Sequence, residues 1–160
     1  MNAAAKSTVN VRFAGLGGTG VIRASDILAD VAFRSGRWVR KAEVHGMSQR
    51  GGSVQSDVRI GEGAQSPMIP NGSCDFLVVL EPSEVETVLG GLRPDGVLLT
   101  PADIPAEQLR SAKALNVALL GRLSRHFDFP EAAWSESLRS HFPARLHAAN
   151  NAAFDLGKHP

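Results

Sequence analysis

The stretch from Val9 to Phe33 constrains the fold most. A short apolar run breaks into Gly15-Leu16-Gly17-Gly18-Thr19-Gly20 and then into an amphipathic segment. Val9, Val11, Phe13 and Ala14 suit a buried strand, and the four glycines let the backbone turn sharply with no β-carbon in the way. Beyond the turn, Val21, Ala24, Ile27, Leu28, Val31 and Ala32 recur at helical spacing, while Arg23, Asp26, Asp30 and Arg34 take the other face. Such a unit aims free amide N–H groups and the positive helix end at whatever lies above Gly17 and Gly18.

The spacing from Gly15 to Gly17 to Gly20 fits the dinucleotide fingerprint and suggests a phosphate cradle; equally, the glycines can serve only tight strand-to-helix packing. A nicotinamide dinucleotide site needs an acid about 20 residues further on. Here Trp38-Val39 leads into Arg40-Lys41, and the first acid is Glu43. This pattern argues against NAD and leaves an NADP-binding dehydrogenase domain as an alternative, with the basic pair beside a 2′-phosphate. From Glu43 to Gly52 there is no usable periodicity, which predicts a binding or interface loop in which Arg50 is the natural partner for an anion.

Ser53 to Ile60 alternates with one apolar face and predicts a strand near the sheet edge, its polar face turned to water or another subunit. Gly61 to Gly72 reads as a surface loop, and Phe76 to Leu80 as a central parallel strand. A helix capped by Ser83, with Val85, Val88 and Leu92 buried, should follow. Pro94-Asp95-Gly96 then turns the chain into a strand from Val97 to Thr100. The remainder predicts helices over Glu107 to Arg125, after Pro130, and over Ala144 to Leu156, with Gly157 as a stop. Alternating strands and helices define an α/β fold, a Rossmann-like, doubly wound and mostly parallel sheet with a helical C-terminal region, in one domain spanning 1–160.

A formal net charge of +1 offers no field for nucleic acid or membrane. Residues 1–8 hold one lysine and no apolar run, so the expected location is cytoplasmic. The single cysteine, Cys74, precludes an intramolecular disulfide and a cysteine-ligated cluster built by this chain alone, and reads as a buried thiol. No metal ligand set and no catalytic residue stands out.

The glycine loop, the stretch from Lys41 through Glu43-Val44-His45-Gly46-Met47-Ser48-Gln49-Arg50-Gly51-Gly52-Ser53 to Val54, and Val58-Arg59-Ile60-Gly61 together resemble the gamma-domain family of 2-oxoacid:ferredoxin oxidoreductases. Within that family the resemblance is closest to the indolepyruvate ferredoxin oxidoreductase branch. Asp75 to Glu84, Arg93-Pro94-Asp95-Gly96, Asn116 to Gly121 and Asn150 to Gly157 extend it over nearly the whole chain. The resemblance implies an accessory subunit, inactive alone, of a complex that oxidatively decarboxylates 2-oxoacids to acyl-coenzyme A. Thiamine diphosphate and iron–sulfur clusters would sit on large partner subunits and pass electrons to an acceptor such as ferredoxin. By the same analogy Gly15, Gly17, Gly18, Thr19, Gly20 and Arg50 are expected at a phosphate or coenzyme A site. Glu43, His45, Gly46, Met47, Ser48, Gln49, Gly51, Gly52 and Ser53 are expected at the subunit interface. Two departures from the family pattern are Thr19 in place of glutamine and a short connection from Pro105 to Asn116. A pure assembly module with an empty glycine loop is the further alternative.

Overall fold

Apolar runs bounded by glycine and proline set the order of elements: β1 (Val9–Leu16), α1 (Val21–Arg34), β2 (Val39–His45), β3 (Ser53–Ile60), β4 (Cys74–Val79), α2 (Val85–Val88), β5 (Leu92–Leu99), α3 (Leu115–Ser124), α4 (Glu131–His141) and α5 (His147–Lys158). The computed structural model describes residues 7–45 and 51–159, with only the backbone of His45. The strands form one sheet in the order β2-β3-β1-β4-β5. β1, β4 and β5 are parallel neighbours, and β3 runs antiparallel to both β1 and β2, so four of the five strands point one way.

Alternate residues of β1 feed the two faces. Val11 and Phe13 meet Val21, Ala24, Ile27, Leu28 and Val31 of α1, and the same cluster takes in α3, α4 and α5. Ala14 faces the other way, with Leu77 and Val79 of β4 under Val88 of α2. Helices therefore cover both faces, as a doubly wound α/β unit requires.

The strand expected near the sheet edge is second from it, but its polar face is not turned to water. β3 pairs with β1 from Val9–Ile60 to Leu16–Ser53 and with β2 from Val39–Ile60 to His45–Val54. Its polar face is covered by the segment after Gly61. The buried Asp57 carboxylate accepts from Arg12 Nε at 2.7 Å, from Arg12 Nη2 at 3.0 Å and from the Ile69 amide at 2.9 Å. Arg59 donates to the carbonyls of Ser66 and Met68, and Arg40 to that of Ala64. The stretch read as a surface loop is thus a cover held by three arginines, with Ala64 and Ile69 buried beneath it. β2 takes the edge, and it includes Glu43 and His45, both expected in a loop.

Four further expectations are corrected. Leu92 opens β5 rather than joining a helix, because α2 ends at Val88 and a 3-10 turn follows. The Pro94-Asp95-Gly96 turn is a bulge inside β5: Leu92 is level with Cys74, whereas Val97 is level with Phe76. Between β5 and α3 the chain forms 3-10 turns, one of them (Ala106–Gln108) over the expected helix start and another capped by Ser111, so the long helix from Glu107 shortens to Leu115–Ser124. Gly157 does not stop α5. A β-carbon there would lie 1.7 Å from the Ala118 carbonyl oxygen, and one at Gly121 would lie 2.0 Å from that of Phe154. The two glycines let α3 and α5 cross backbone to backbone.

Candidate functional site: the glycine loop at the carboxyl edge of the sheet

The β1–α1 turn is built by its own glycines. Gly18 and Gly20 sit at φ 87° and 91°, where a side chain is strained. At Gly15 a β-carbon would meet Thr19 Oγ1 at 2.8 Å and Val21 Cγ2 at 2.9 Å. The Thr19 hydroxyl donates to the Leu16 carbonyl at 2.6 Å, and its amide donates to the same oxygen at 3.1 Å. Gly15 and Thr19 therefore shape the loop from behind.

Gly17, Gly18 and Gly20 line a cleft of about 580 Å³ with Leu16, Val21, Ile22 and Val54. Its apolar part comes from the start of α1 and from β3. Its polar part is backbone. The Gly17 amide is engaged, donating to the Gly52 carbonyl at 2.9 Å. This bond ties the loop to the end of the β2–β3 connection, and at Gly17 a β-carbon would come within 3.3 Å of the Gly51 nitrogen. The amides of Gly18 and Gly20 have no backbone acceptor among the described residues, and those of Val21 to Arg23 have none within a helix that starts there. The cradle expected over Gly17 and Gly18 is thus shifted to Gly18, Gly20 and the first turn of α1.

Arg23 and Asp26 also line the cleft. Arg23 is turned toward α4, donating to the His141 carbonyl at 2.6 Å with its guanidinium 5.5 Å from the Phe142 ring. Asp26 is paired with Lys41 Nζ at 3.0 Å, and Lys41 also meets Glu43. Asn116 braces the loop from behind. Its Nδ2 donates to the Gly20 carbonyl at 3.3 Å, its Oδ1 accepts from the Val117 amide at 2.9 Å, and a β-carbon on Gly20 would lie 2.4 Å from that Nδ2. No local pattern links Asn116 to a loop 96 residues earlier.

The expected interface residues divide. Gly51, Gly52 and Ser53 lie beside the glycine loop, and Ser53 donates to Glu84 Oε2 at 2.7 Å. Glu43 is on the edge strand β2, as is the His45 backbone. Gly46, Met47, Ser48, Gln49 and Arg50 lie outside the described residues.

Arg40 and Lys41 do not serve the loop. Arg40 is level with Arg59, which is level with Asn10 at the opposite end of β1, and β3 stands between β2 and β1. With Arg40 on Ala64 and Lys41 between two carboxylates, the geometry gives no support to an NADP site. Ser137, His141 and Asp30 also form no relay, since the one imidazole nitrogen Nδ1 faces all of them.

Cys74 is fully buried, and burial, opposed by nearby Arg12, pushes its thiol up to about 11 from an ordinary 9.0. The folded chain holds this proton more tightly than the unfolded one. The resulting stabilisation is present below pH about 9 and is lost as pH rises toward about 11. Cys74→Ala is expected to flatten that alkaline decline in urea-unfolding stability; an unchanged slope would assign the decline to other groups. Among the described residues no group of three or more His, Cys, Asp or Glu could hold a metal ion, and no helix is long and apolar enough to cross a membrane.

A Rossmann-like α/β unit with a glycine loop at the carboxyl edge of its parallel strands is the class defined by these features. Residues 10–159 match the family described as pyruvate ferredoxin/flavodoxin oxidoreductase, and the chain belongs to that family. It is 31% identical to the indolepyruvate oxidoreductase subunit IorB of Thermococcus kodakarensis, over 92% of this chain and 93% of that protein. That alignment spans 188 positions against the 160 residues here, so the relative carries segments this chain lacks. The fold matches the pyruvate oxidoreductase subunit PORC of Thermotoga maritima, with TM-score 0.76, 24% identity and coverage of 95% of this chain and 96% of that one. It also matches 31% of a chain of the 2-oxoglutarate:ferredoxin oxidoreductase from Magnetococcus marinus, solved with 2-oxoglutarate, coenzyme A and succinyl-CoA bound. There the TM-score is 0.75 and identity 24% over 96% of this chain. Membership of this family and the likeness to IorB fit an accessory subunit of a 2-oxoacid oxidoreductase.

Proposed function

We propose that this chain, as one gamma-type unit, serves a complex that oxidatively decarboxylates a 2-oxoacid of the arylpyruvate class to acyl-coenzyme A. Its glycine loop seats a phosphate group of coenzyme A. The observation that carries this reading is the junction of Gly17 with Gly52, which makes the ligand cleft continuous with the end of the β2–β3 connection. Binding of the acyl acceptor and contact with the partner subunit would then share one surface.

The residues present suit that substrate. Gly18, Gly20 and the first turn of α1 line the cleft with amides that have no backbone acceptor among the described residues, the helix end is positive, and Val21, Ile22 and Val54 give an apolar wall. Asp26 is paired with Lys41, which Glu43 shares, so the phosphate is assigned to the amides of Gly18 and Gly20 and not to the Asp26 side of the cleft. Arg50 adds a guanidinium. The interface runs through Glu43, His45, the stretch from Gly46 to Gln49, and Gly51, Gly52 and Ser53. Thiamine diphosphate and iron–sulfur clusters belong to the large partner subunit, where they supply decarboxylation and electron transfer toward a ferredoxin-type acceptor. This chain binds and orients; it moves no proton.

Gly18→Asp tests the seat. Nothing lies within 4 Å of a β-carbon there, and aspartate tolerates positive φ better than most residues, so the fold should persist with a carboxylate facing the cradle. The KM for coenzyme A in the assembled complex should rise by about tenfold or more, with assembly unchanged. An unchanged KM would favour the second reading, an assembly module with an empty loop. That reading draws on the Gly17 and Thr19 amides, which are both satisfied within the protein.

A further inference from the structure

A second cleft, of about 400 Å³, opens at the opposite edge of the sheet from the glycine loop. Its floor is Val9 at the start of β1, Ile60 at the end of β3, and Phe76 and Val97. One wall is aromatic. Phe76 lies 5.0 Å from the His126 ring and 5.6 Å from Phe127, and Phe127 stacks on Phe129 at 4.9 Å with 10° between planes. The row continues through Trp134 to Phe154, both buried in the core, so the wall is anchored and preformed.

The rim carries both signs of charge. Arg37 stands 3.6 Å from Asp128, and both are largely exposed. Also on the rim, Arg93 Nη1 meets Asp75 Oδ1 at 2.8 Å, and Asp75 Oδ2 accepts from the Asn10 amide at 2.7 Å. Asp75 is therefore spent, while half-exposed Arg93 keeps most of its donors. Asp95, on the β5 bulge, adds another carboxylate to the rim. A lone anion would face more carboxylates than guanidinium groups, and a lone cation would face two guanidinium groups. A ligand carrying both charges on one end, with a ring on the other, satisfies rim and wall together.

We propose that this cleft binds a zwitterionic aromatic α-amino acid: its carboxylate on Arg37 and Arg93, its ammonium on Asp95 and Asp128, and its ring against Phe76 and Phe127. The site is separate from the glycine loop, and the proposal does not depend on what that loop binds.

Titration calorimetry of the full chain with L-phenylalanine, L-alanine, phenylpyruvate and phenethylamine tests it. L-Phenylalanine should bind saturably, with Kd about 1 mM or tighter, and the other three, each lacking one element, at least about tenfold more weakly. Arg37→Gln and Asp128→Asn, both at exposed positions, should each weaken phenylalanine about tenfold without changing the melting temperature. Amide NMR shifts should fall on Phe76, Val97 and residues 126–129, not on the glycine loop. Absence of saturable binding, phenylpyruvate binding as tightly as phenylalanine, alanine binding equally well, or shifts confined to Leu16–Ile22 would each overturn the proposal.

Discussion

Gly157→Ala is expected to remove about 3 kcal/mol or more of folding stability, a large share of what a domain of this size possesses. The added carbon would sit 1.7 Å from the Ala118 carbonyl oxygen and 3.0 Å from the Arg122 nitrogen. Both are backbone atoms of α3, so no rotamer change relieves the clash; α3 and α5 must move apart. Separating them opens the cluster containing Leu119, Leu120, Leu123, Ala153 and Phe154. Gly121→Ala should behave alike, since its carbon would meet the Phe154 oxygen at 2.0 Å. Gly90→Ala is the control, with nothing within 4 Å, and should stay within about 0.5 kcal/mol of the parent. Urea midpoints at unchanged m-value measure all three. A cost for Gly157→Ala no greater than for Gly90→Ala would contradict the backbone crossing of α3 and α5.

The second large effect is expected at Asp57. Alanine there leaves the largely buried guanidinium of Arg12 with only the Ile69 carbonyl at 3.5 Å among the described residues, and leaves the Ile69 amide without its acceptor. Breaking a buried pair from one side costs about 3–5 kcal/mol, mostly because the remaining charge is stranded. Removing both charges, as Arg12→Met with Asp57→Leu, should restore part of the loss. The cover from Gly61 to Gly72 should become more sensitive to protease near Ile69 in Asp57→Ala, because that tie to the sheet is lost while those from Arg40 and Arg59 remain. A single-mutant cost under about 1 kcal/mol, or a double mutant worse than Asp57→Ala, would contradict the role assigned to the pair.

These two sites also mark where reading the chain stops. The unit from Val9 to Phe33 is legible because period-2 and period-3.6 patterns meet at a glycine loop, and the structure places β1, the turn and α1 there. Alternation in β3 is legible too, but its polar face reads as solvated. Asp57 is buried by an arginine 45 residues earlier, a pairing that no local pattern carries. Gly157 looks like a helix stop because it follows an apolar stripe; its actual partner is Ala118 on another helix.

The site divides in the same way. Gly17, Gly18 and Gly20 at the cleft are written in the loop, whereas Asn116 behind Gly20 is placed by the tertiary fold. Thr19 is in the right loop for a different reason, its hydroxyl closing the turn rather than facing a ligand. The basic pair Arg40-Lys41 suggested a nucleotide phosphate only while β2 could be imagined beside β1. With β3 between them, both side chains have other partners.

Anaerobic purification of the chain from its native cells, followed by identification of what comes with it and an assay for 2-oxoacid-dependent dye reduction, tests the central claim most directly. The account predicts a large thiamine- and iron–sulfur-containing partner and activity that depends on this chain. A chain that purifies alone, or a complex whose 2-oxoacid oxidation is unchanged when this chain is removed, would contradict it.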